Sequence, residues 1–126
     1  MYQTVVVILT LTACLSSVKK QTQMNELTPD AWAELQEQIS ESVILDVRTE
    51  EEFESGYIKG ALNMDIHGGT DFLASIDELD KSKSYFVYCR SGARSAQACQ
   101  LMSQKGFIAV YNLDGGVLNW HRNLEK

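Results

Sequence analysis

The sequence has few of the residues that mark several functional classes. It contains one proline, two histidines and three widely spaced cysteines, Cys14, Cys89 and Cys99, with no Cys-x-x-Cys pair. An odd set of distant cysteines is neither a disulfide framework nor a zinc site, since both need paired or closely spaced residues. No metal site is therefore expected, and no cofactor is assigned.

Positive charge is also scarce. The chain has 11 Lys and Arg residues and 17 Asp and Glu residues, which gives a net charge of −6. It contains no run of five basic residues of the kind that could follow a phosphate backbone. Nucleic acid is therefore not an expected partner. An anion would have to be captured locally, by arginines or by backbone amides in a loop.

The remaining composition is that of a globular protein. Apolar residues make up 44% of the chain and charged residues 22%. A chain of 126 residues is close to the roughly 100 to 150 residues that form one domain. One folded domain is therefore predicted, and we assign it to residues 25–126.

The N-terminal segment predicts export. Residues 5–11 are apolar but too few to span a bilayer, and the following Leu11-Thr12-Ala13-Cys14 resembles a bacterial lipobox. The resemblance implies a signal peptide over residues 1–13, a lipid on Cys14 and a tether over residues 14–24. The protein would then lie on the periplasmic side of the bacterial cell envelope, with the lipid as its only membrane contact.

A second interpretation of this segment stays open. Residues 1–4 carry no Lys or Arg, whereas a signal peptide ordinarily begins with basic residues. The β-branched residues 5–8 could instead form a buried first strand. In that case the signal is unused and the protein is cytoplasmic.

From Leu27 onward, helical and strand-like patterns alternate. Strands that are apolar on both faces are predicted at residues 43–48, 61–66, 85–88 and 109–113. Helices are predicted at residues 28–40, 49–52, 72–79 and 93–105, with a last helix that contains Leu118, Trp120 and Leu124. This order predicts an α/β fold with a parallel sheet between helices. No apolar stripe is left uncovered, so a monomer is expected.

Cys89 is the candidate nucleophile. It follows the predicted strand 85–88 and precedes a glycine-containing turn into a helix. The unpaired amides and partial positive charge of a helix N-terminus favour a thiolate, as would the guanidinium groups of Arg90 and Arg94. The alternative is that Cys89 is a small core residue. That is the interpretation we give to Cys99, which lies among apolar residues in mid-helix.

Three segments in order resemble the motifs of single-domain rhodaneses. The loop Cys89-Arg90-Ser91-Gly92-Ala93-Arg94-Ser95 resembles their active-site loop. The first signature corresponds to Leu45-Asp46-Val47-Arg48 and residues 52–63, and the closing one to Leu113-Asp114-Gly115-Gly116 with Trp120. Tyr57 and Lys59 depart from the His and Pro that family members often have.

The resemblance implies a rhodanese-like three-layer sandwich with a five-stranded, mainly parallel sheet flanked by helices. It also implies a thiosulfate sulfurtransferase, in which Cys89 accepts sulfane sulfur from thiosulfate or a similar donor. The resulting persulfide would pass this sulfur to cyanide or a thiol.

The loop residues have expected roles in this reaction. Backbone amides would stabilise the sulfur anion and the two arginines would orient the donor, so the expected substrate-binding set is Arg90, Ser91, Gly92, Ala93, Arg94 and Ser95. Asp46 and Arg48, at the carboxyl end of a strand, are expected to brace the loop.

Two other functions remain possible. Phosphatases of related fold have a loop of the pattern Cys-x5-Arg. Here only four residues separate Cys89 from Arg94, and Ser95 stands at the arginine position. The shorter loop suits one sulfur atom better than a phosphate. A non-catalytic rhodanese-like binding module is the third hypothesis. Neither His67 nor His121 is given a role.

Overall fold

The computed structural model describes residues 25–126. Five strands, four α-helices and two 3-10 helices follow one another within this range. They are β1 (Asn25–Leu27), α1 (Pro29–Gln38), β2 (Ser42–Asp46), α2 (Glu50–Ser55), β3 (Leu62–Asn63), a 3-10 helix (Ile66–Gly68), α3 (Thr70–Asp77), β4 (Ser84–Tyr88), α4 (Ala93–Gln104), β5 (Ala109–Leu113) and a second 3-10 helix (Gly116–Asn119). None of the helices in residues 25–126 combines the length and the apolar character that crossing a bilayer requires.

The strands form one sheet in the order β1-β5-β4-β2-β3, and every pair of neighbours is parallel. The two edge strands have two and three residues, whereas β2, β4 and β5 have five each. The predicted α/β class with a five-stranded parallel sheet is therefore confirmed. β4 is the central strand, so the loop that follows it opens at the middle of the sheet.

Alternate residues of the strands pack on opposite faces of the sheet. Tyr85 and Val87 of β4 join a core cluster with residues of α3 and α4, and Phe86 and Tyr88 join a second cluster with Trp32 of α1. These four side chains of β4 are almost completely buried. Burial on both faces explains why the strands are apolar without alternation.

The helix starts follow the sequence closely. Thr28 caps α1 by accepting a hydrogen bond from the amide of Ala31, and Pro29 is its first residue. Thr49 and Glu52 form a reciprocal capping box at the start of α2. These two predicted starts are confirmed.

Two edge elements differ from the predictions. The predicted pattern began at Leu27 and missed β1, a three-residue strand that pairs with β5 through Asn25 and Tyr111. The strand predicted at 61–66 has only two residues, because Asp65 accepts a hydrogen bond from the amide of His67 and starts a 3-10 helix. Short edge strands contribute little apolar pattern to the sequence.

The prediction of a last helix around Leu118, Trp120 and Leu124 was wrong. Only one 3-10 turn forms, and Trp120 has extended backbone angles. Its ring packs edge to face on Trp32 at 5.6 Å. Beyond it, Tyr57 and Glu125 exchange two backbone hydrogen bonds in an antiparallel bridge, so the chain gains tertiary partners that a helix would have lost.

The N-terminal predictions lie outside the described residues. The signal peptide over residues 1–13, the lipid on Cys14 and the tether over residues 14–24 therefore stay predictions.

Candidate active site

Cys89 lies at the carboxyl edge of the sheet, directly after Tyr88 of β4. The loop formed by residues 89–95, which we call the cysteine loop, leads into the first turn of α4. In open parallel sheets ligands bind at this edge, because loops and helix N-termini meet there. The structure thus brings the predicted nucleophile and a helix N-terminus together.

Donors of the cysteine loop point at the sulfur. The Gly92 amide donates to Cys89 Sγ at 3.1 Å, and the Ser95 hydroxyl lies at 3.3 Å from it. Burial by itself would raise the pKa of Cys89. The Ser95 hydroxyl and the amides of Ser95, Gly92 and Ser91 outweigh burial and hold the pKa of Cys89 below its ordinary value.

The Ser95 side chain has two acceptors within reach. Its hydroxyl is 3.3 Å from the sulfur of Cys89 and 3.2 Å from the carbonyl oxygen of Gly92. A hydroxyl has one proton, so it donates to one acceptor at a time. A thiolate, being charged, is the stronger acceptor, and its formation should draw the proton of Ser95 toward the sulfur.

The Cys89 side chain is fully buried, with 0% of its surface exposed. It forms part of the core cluster that contains Leu45, Val87 and Ala98. A donor molecule cannot touch a sulfur that is covered on all sides. Chemistry at this sulfur therefore requires a displacement of the atoms that cover it.

The turn after β5 supports the cysteine loop. The amide of Val117 donates to the carbonyl of Cys89 at 2.9 Å, and that of Leu118 donates to the carbonyl of Arg90 at 3.1 Å. A Cβ atom at Gly116 would lie 2.4 Å from the Arg90 carbonyl oxygen, and Gly116 has a φ of +60°. Both the close approach and the left-handed backbone require glycine here.

Asn112 is a site residue that sequence reasoning missed. It is fully buried in β5, and its side-chain amide donates to the carbonyl of Gly92 at 3.2 Å. Asn112 thus anchors the cysteine loop at Gly92, the residue whose amide donates to the sulfur of Cys89. A carboxamide inside the apolar strand 109–113 was the signal that could have revealed it.

The two arginines of the cysteine loop have different surroundings. Arg94 forms two hydrogen bonds with the carboxylate of Glu52, at 2.7 and 2.9 Å. Arg90 is exposed, and its side chain makes no hydrogen bond or ion pair with any residue in the described range. Ser91 and Ala93, the other expected binding residues, are also exposed.

Asp46 and Arg48 form a buried ion pair at 2.7 Å. Burial alone would lower the pKa of Arg48, but the hydrogen bond and charge of Asp46 raise it. Arg48 also donates to the carbonyl of Gly56, after α2, and lies over the Tyr88 ring. The pair thus holds the turn after α2 and the end of β4, and its hydrogen bonds do not reach the cysteine loop.

The other candidate groups lie apart from this arrangement. Cys99 is buried in α4, and His67 and His121 are exposed. Among residues 25–126, no three Asp, Glu, His or Cys side chains are grouped as metal ligands would be. This arrangement combines a thiolate, surrounding amides and a nearby arginine. It is suited to nucleophilic attack on an electrophilic sulfur or phosphorus atom.

Several proteins of known family are similar to this chain. A family model described as a rhodanese-like domain matches residues 29–123. A sulfurtransferase of Allochromatium vinosum is 33% identical over 100 residues, which cover 79% of this chain and 91% of that protein.

Two further relatives differ in how far they match. The crystal structure of a rhodanese-like domain protein from Staphylococcus aureus superposes with a TM-score of 0.69 and 30% identity, covering 81% of this chain and 97% of that one. A tRNA uridine(34) hydroxylase of Pelagibacter ubique is 31% identical over 112 residues, which cover 89% of this chain. This chain spans only 37% of that hydroxylase.

Proposed function

Since the chain belongs to the family of rhodanese-like domains, we propose that it moves sulfane sulfur from thiosulfate or a similar donor to cyanide or a thiol through a persulfide on Cys89. The observation that carries the proposal is the set of hydrogen-bond donors around this sulfur, with the Gly92 amide at 3.1 Å. These donors lower the pKa of Cys89 against the effect of burial.

The reaction has two steps. The Cys89 thiolate attacks the outer sulfur of thiosulfate, the bond between the two sulfurs of the donor breaks, and sulfite leaves with its electron pair. The product is a persulfide anion on Cys89. Cyanide or a thiolate then attacks the terminal sulfur, leaves as thiocyanate or a new persulfide, and returns Cys89 to the thiolate form.

The amides of the cysteine loop support both anions of this cycle. The charge moves from Cys89 Sγ to the terminal persulfide sulfur, about 2 Å farther along the side chain, close to the length of a disulfide bond. Amides in the first turn of α4 have no partner within the helix and would stabilise that charge. Arg90 is exposed, so it can meet an anionic donor at the surface.

Entry of the donor requires the cysteine loop or its cover to move, because the sulfur is fully buried. Arg90, Ser91 and Ala93 are exposed, so a displacement of these loop residues would break few core contacts. Attack on the donor is expected from an opened state of the loop.

Phosphoester hydrolysis is less well supported by the same geometry. In this chain Ser95 contacts the sulfur at 3.3 Å, at the position where a Cys-x5-Arg loop has its arginine. Arg94 is turned to Glu52. Position 95 therefore has no guanidinium, and that of Arg94 is bound to Glu52, so neither residue is available to bind a phosphate beside Cys89.

The direct test is a thiosulfate–cyanide assay on the wild type, on Cys89→Ser and on Cys99→Ser as a matched control. We expect Cys89→Ser to lose activity by roughly a thousandfold or more, because the oxygen nucleophile cannot carry sulfur, and Cys99→Ser to stay within about threefold. After thiosulfate alone, mass spectrometry should find one added sulfur atom on the peptide that contains Cys89.

Other outcomes identify the alternatives. Cleavage of an aryl phosphate that depends on Cys89, without sulfur transfer, would establish the phosphatase. Equal inactivity of the wild type and Cys89→Ser in both assays would leave the binding module.

A further inference from the structure

The guanidinium of Arg94 already has a partner. Its two terminal nitrogens donate to the two carboxylate oxygens of Glu52, at 2.7 and 2.9 Å, in a bidentate ion pair. The side chains are partly buried, with 23% and 29% of their surfaces exposed. Bidentate pairing of this kind uses the same nitrogens that would bind an anionic donor.

Glu52 is held in place independently of Arg94. Its Oε1 atom is 3.2 Å from the hydroxyl of Thr49 and 3.4 Å from the Thr49 amide, and Thr49 in turn accepts a hydrogen bond from the Glu52 amide. This capping box fixes the carboxylate at the start of α2. The hydrogen bonds from Arg94 are the main reason why the pKa of Glu52 is lowered to about 2. The carboxylate is therefore charged at neutral pH.

Arg94 also lies in the electric field of the reactive sulfur. Glu52 is the largest cause that raises the pKa of Arg94, and the charges of Cys89 and Asp65 raise it further. The one carboxylate in contact with Arg94 among the described residues is that of Glu52. A dianion that approaches Cys89 meets a cation whose charge is already balanced.

We propose that Glu52 is a positioning residue that sets donor preference: by holding Arg94 it disfavours dianionic sulfur donors relative to donors of lower charge. The inference rests on the proposed sulfur transfer at Cys89. To bind Arg94 in bidentate fashion, thiosulfate must displace Glu52 and then lie beside that carboxylate. A monoanionic donor meets about half of this repulsion.

Two donors with the same reacting sulfur isolate the effect of charge. Thiosulfate, a dianion, transfers its outer sulfur to the Cys89 thiolate and leaves as sulfite. Methanethiosulfonate, a monoanion, transfers its terminal sulfur in the same way and leaves as methanesulfinate. In both reactions one sulfur–sulfur bond breaks, another forms, and the persulfide anion on Cys89 is identical.

The experiment measures kcat/KM for each donor, with cyanide as acceptor, in the wild type, Glu52→Gln and Glu51→Gln. Gln can keep the capping box with Thr49 but removes the charge that holds Arg94. We expect the thiosulfate-to-methanethiosulfonate ratio to rise roughly fivefold in Glu52→Gln, mainly through a lower KM for thiosulfate. Glu51 is exposed in the same helical turn, and its substitution should change the ratio less than twofold.

Two more variants test whether the effect passes through Arg94. Glu52→Asp keeps the charge and should retain most of the wild-type preference. In an Arg94→Gln background, Glu52→Gln should change the ratio no more than Glu51→Gln does. Equal effects of Glu52→Gln and Glu51→Gln, or an undiminished effect without Arg94, would overturn the proposal.

The test separates this inference from the proposed function. Absence of sulfur transfer from both donors in the folded wild type would remove the proposed function itself. Transfer with an unchanged donor ratio in Glu52→Gln would remove only the role of Glu52. Thermal unfolding of each variant confirms that the compared proteins are folded.

Discussion

Cys89 and Cys99 are both fully buried and belong to the same core cluster, yet their thiols differ in acidity. Burial, followed by the charges of Cys89 and Glu26, raises the pKa of Cys99 to about 12. Burial acts in the same direction on Cys89, but nearby hydrogen-bond donors reverse it and lower the pKa of Cys89. The presence of donors, and not exposure, distinguishes the two sites.

The difference follows from where each cysteine stands relative to α4. Cys99 lies inside the helix, where backbone amides are used by the helix itself. Cys89 lies before the helix, where the first amides have no partner within it. The same helix thus leaves one thiol without donors and supplies them to the other.

Among variants that keep both thiols, Gly116→Ala should have the largest effect, because it displaces the donors that lower the pKa of Cys89. The added Cβ would lie 2.4 Å from the carbonyl oxygen of Arg90, so the cysteine loop must shift away from the turn after β5. We expect sulfur transfer to fall by roughly a hundredfold or more. The pH midpoint for alkylation of Cys89 by iodoacetamide should move upward, toward that of an ordinary thiol.

Gly106→Ala is the matched control for this change. Gly106 has a φ of +93° and no atoms within 4 Å of a built Cβ. Backbone strain should therefore cost each variant about 1 kcal/mol in unfolding free energy, and the close contact should destabilise Gly116→Ala further. Wild-type alkylation and transfer in Gly116→Ala would show that the turn does not position the loop.

Ser95→Ala should reduce the difference in pKa between Cys89 and Cys99, but by less than Gly116→Ala does. The thiolate is the reactive form, so alkylation of Cys89 rises with pH through its pKa, and in the wild type the midpoint should lie below the 9.0 of an ordinary thiol. Loss of the Ser95 hydroxyl removes a donor to the charged form and should raise this midpoint. Transfer at neutral pH should fall roughly tenfold.

The control for Ser95→Ala lies on the same helix. The hydroxyl of Ser103 is buried without a hydrogen-bond partner among the described residues. Ser103→Ala should leave the alkylation midpoint unchanged, as measured peptide by peptide with mass spectrometry. Equal midpoints in the wild type and Ser95→Ala would contradict the role given to this hydroxyl.

The sequence was most informative where structure is local. The central strand, the cysteine after it and the helix that follows were predicted almost to the residue: β4 is Ser84–Tyr88 and α4 is Ala93–Gln104. An apolar run that ends in a glycine turn determines these elements within about twenty residues of chain. The capped starts of α1 and α2 were predictable for the same reason.

Contacts between distant segments were not predictable. Glu52 and Arg94 are 42 residues apart, and Asn112 and Gly92 are 20 apart. No periodicity links such partners, so the sequence predicted Arg94 as a donor-binding residue without its carboxylate. The last helix was wrong for a related reason, because the bridge between Tyr57 and Glu125 competes with local helix formation.

Cys99→Ala should have the smallest effect, because Cys99 takes no part in the proposed reaction. Removing a buried sulfur leaves a small void, which should cost about 1 to 2 kcal/mol in unfolding free energy measured with urea. Sulfur transfer and the alkylation midpoint of Cys89 should stay close to wild type. A large loss of transfer in a folded Cys99→Ala protein would show that the two thiols are coupled.

The pairing of the sheet has a consequence for synthesis on the ribosome. β1 lies beside β5, with Asn25 opposite Tyr111, and β5 also borders β4. Residues 109–113 leave the ribosome last among the strands, so until then β1 has no neighbour and β4 has one unpaired edge. A nascent chain that stalls before Ala109 therefore has unpaired strand edges that favour aggregation. In normal synthesis the sheet is completed only late in translation, when β5 pairs with β1 and β4.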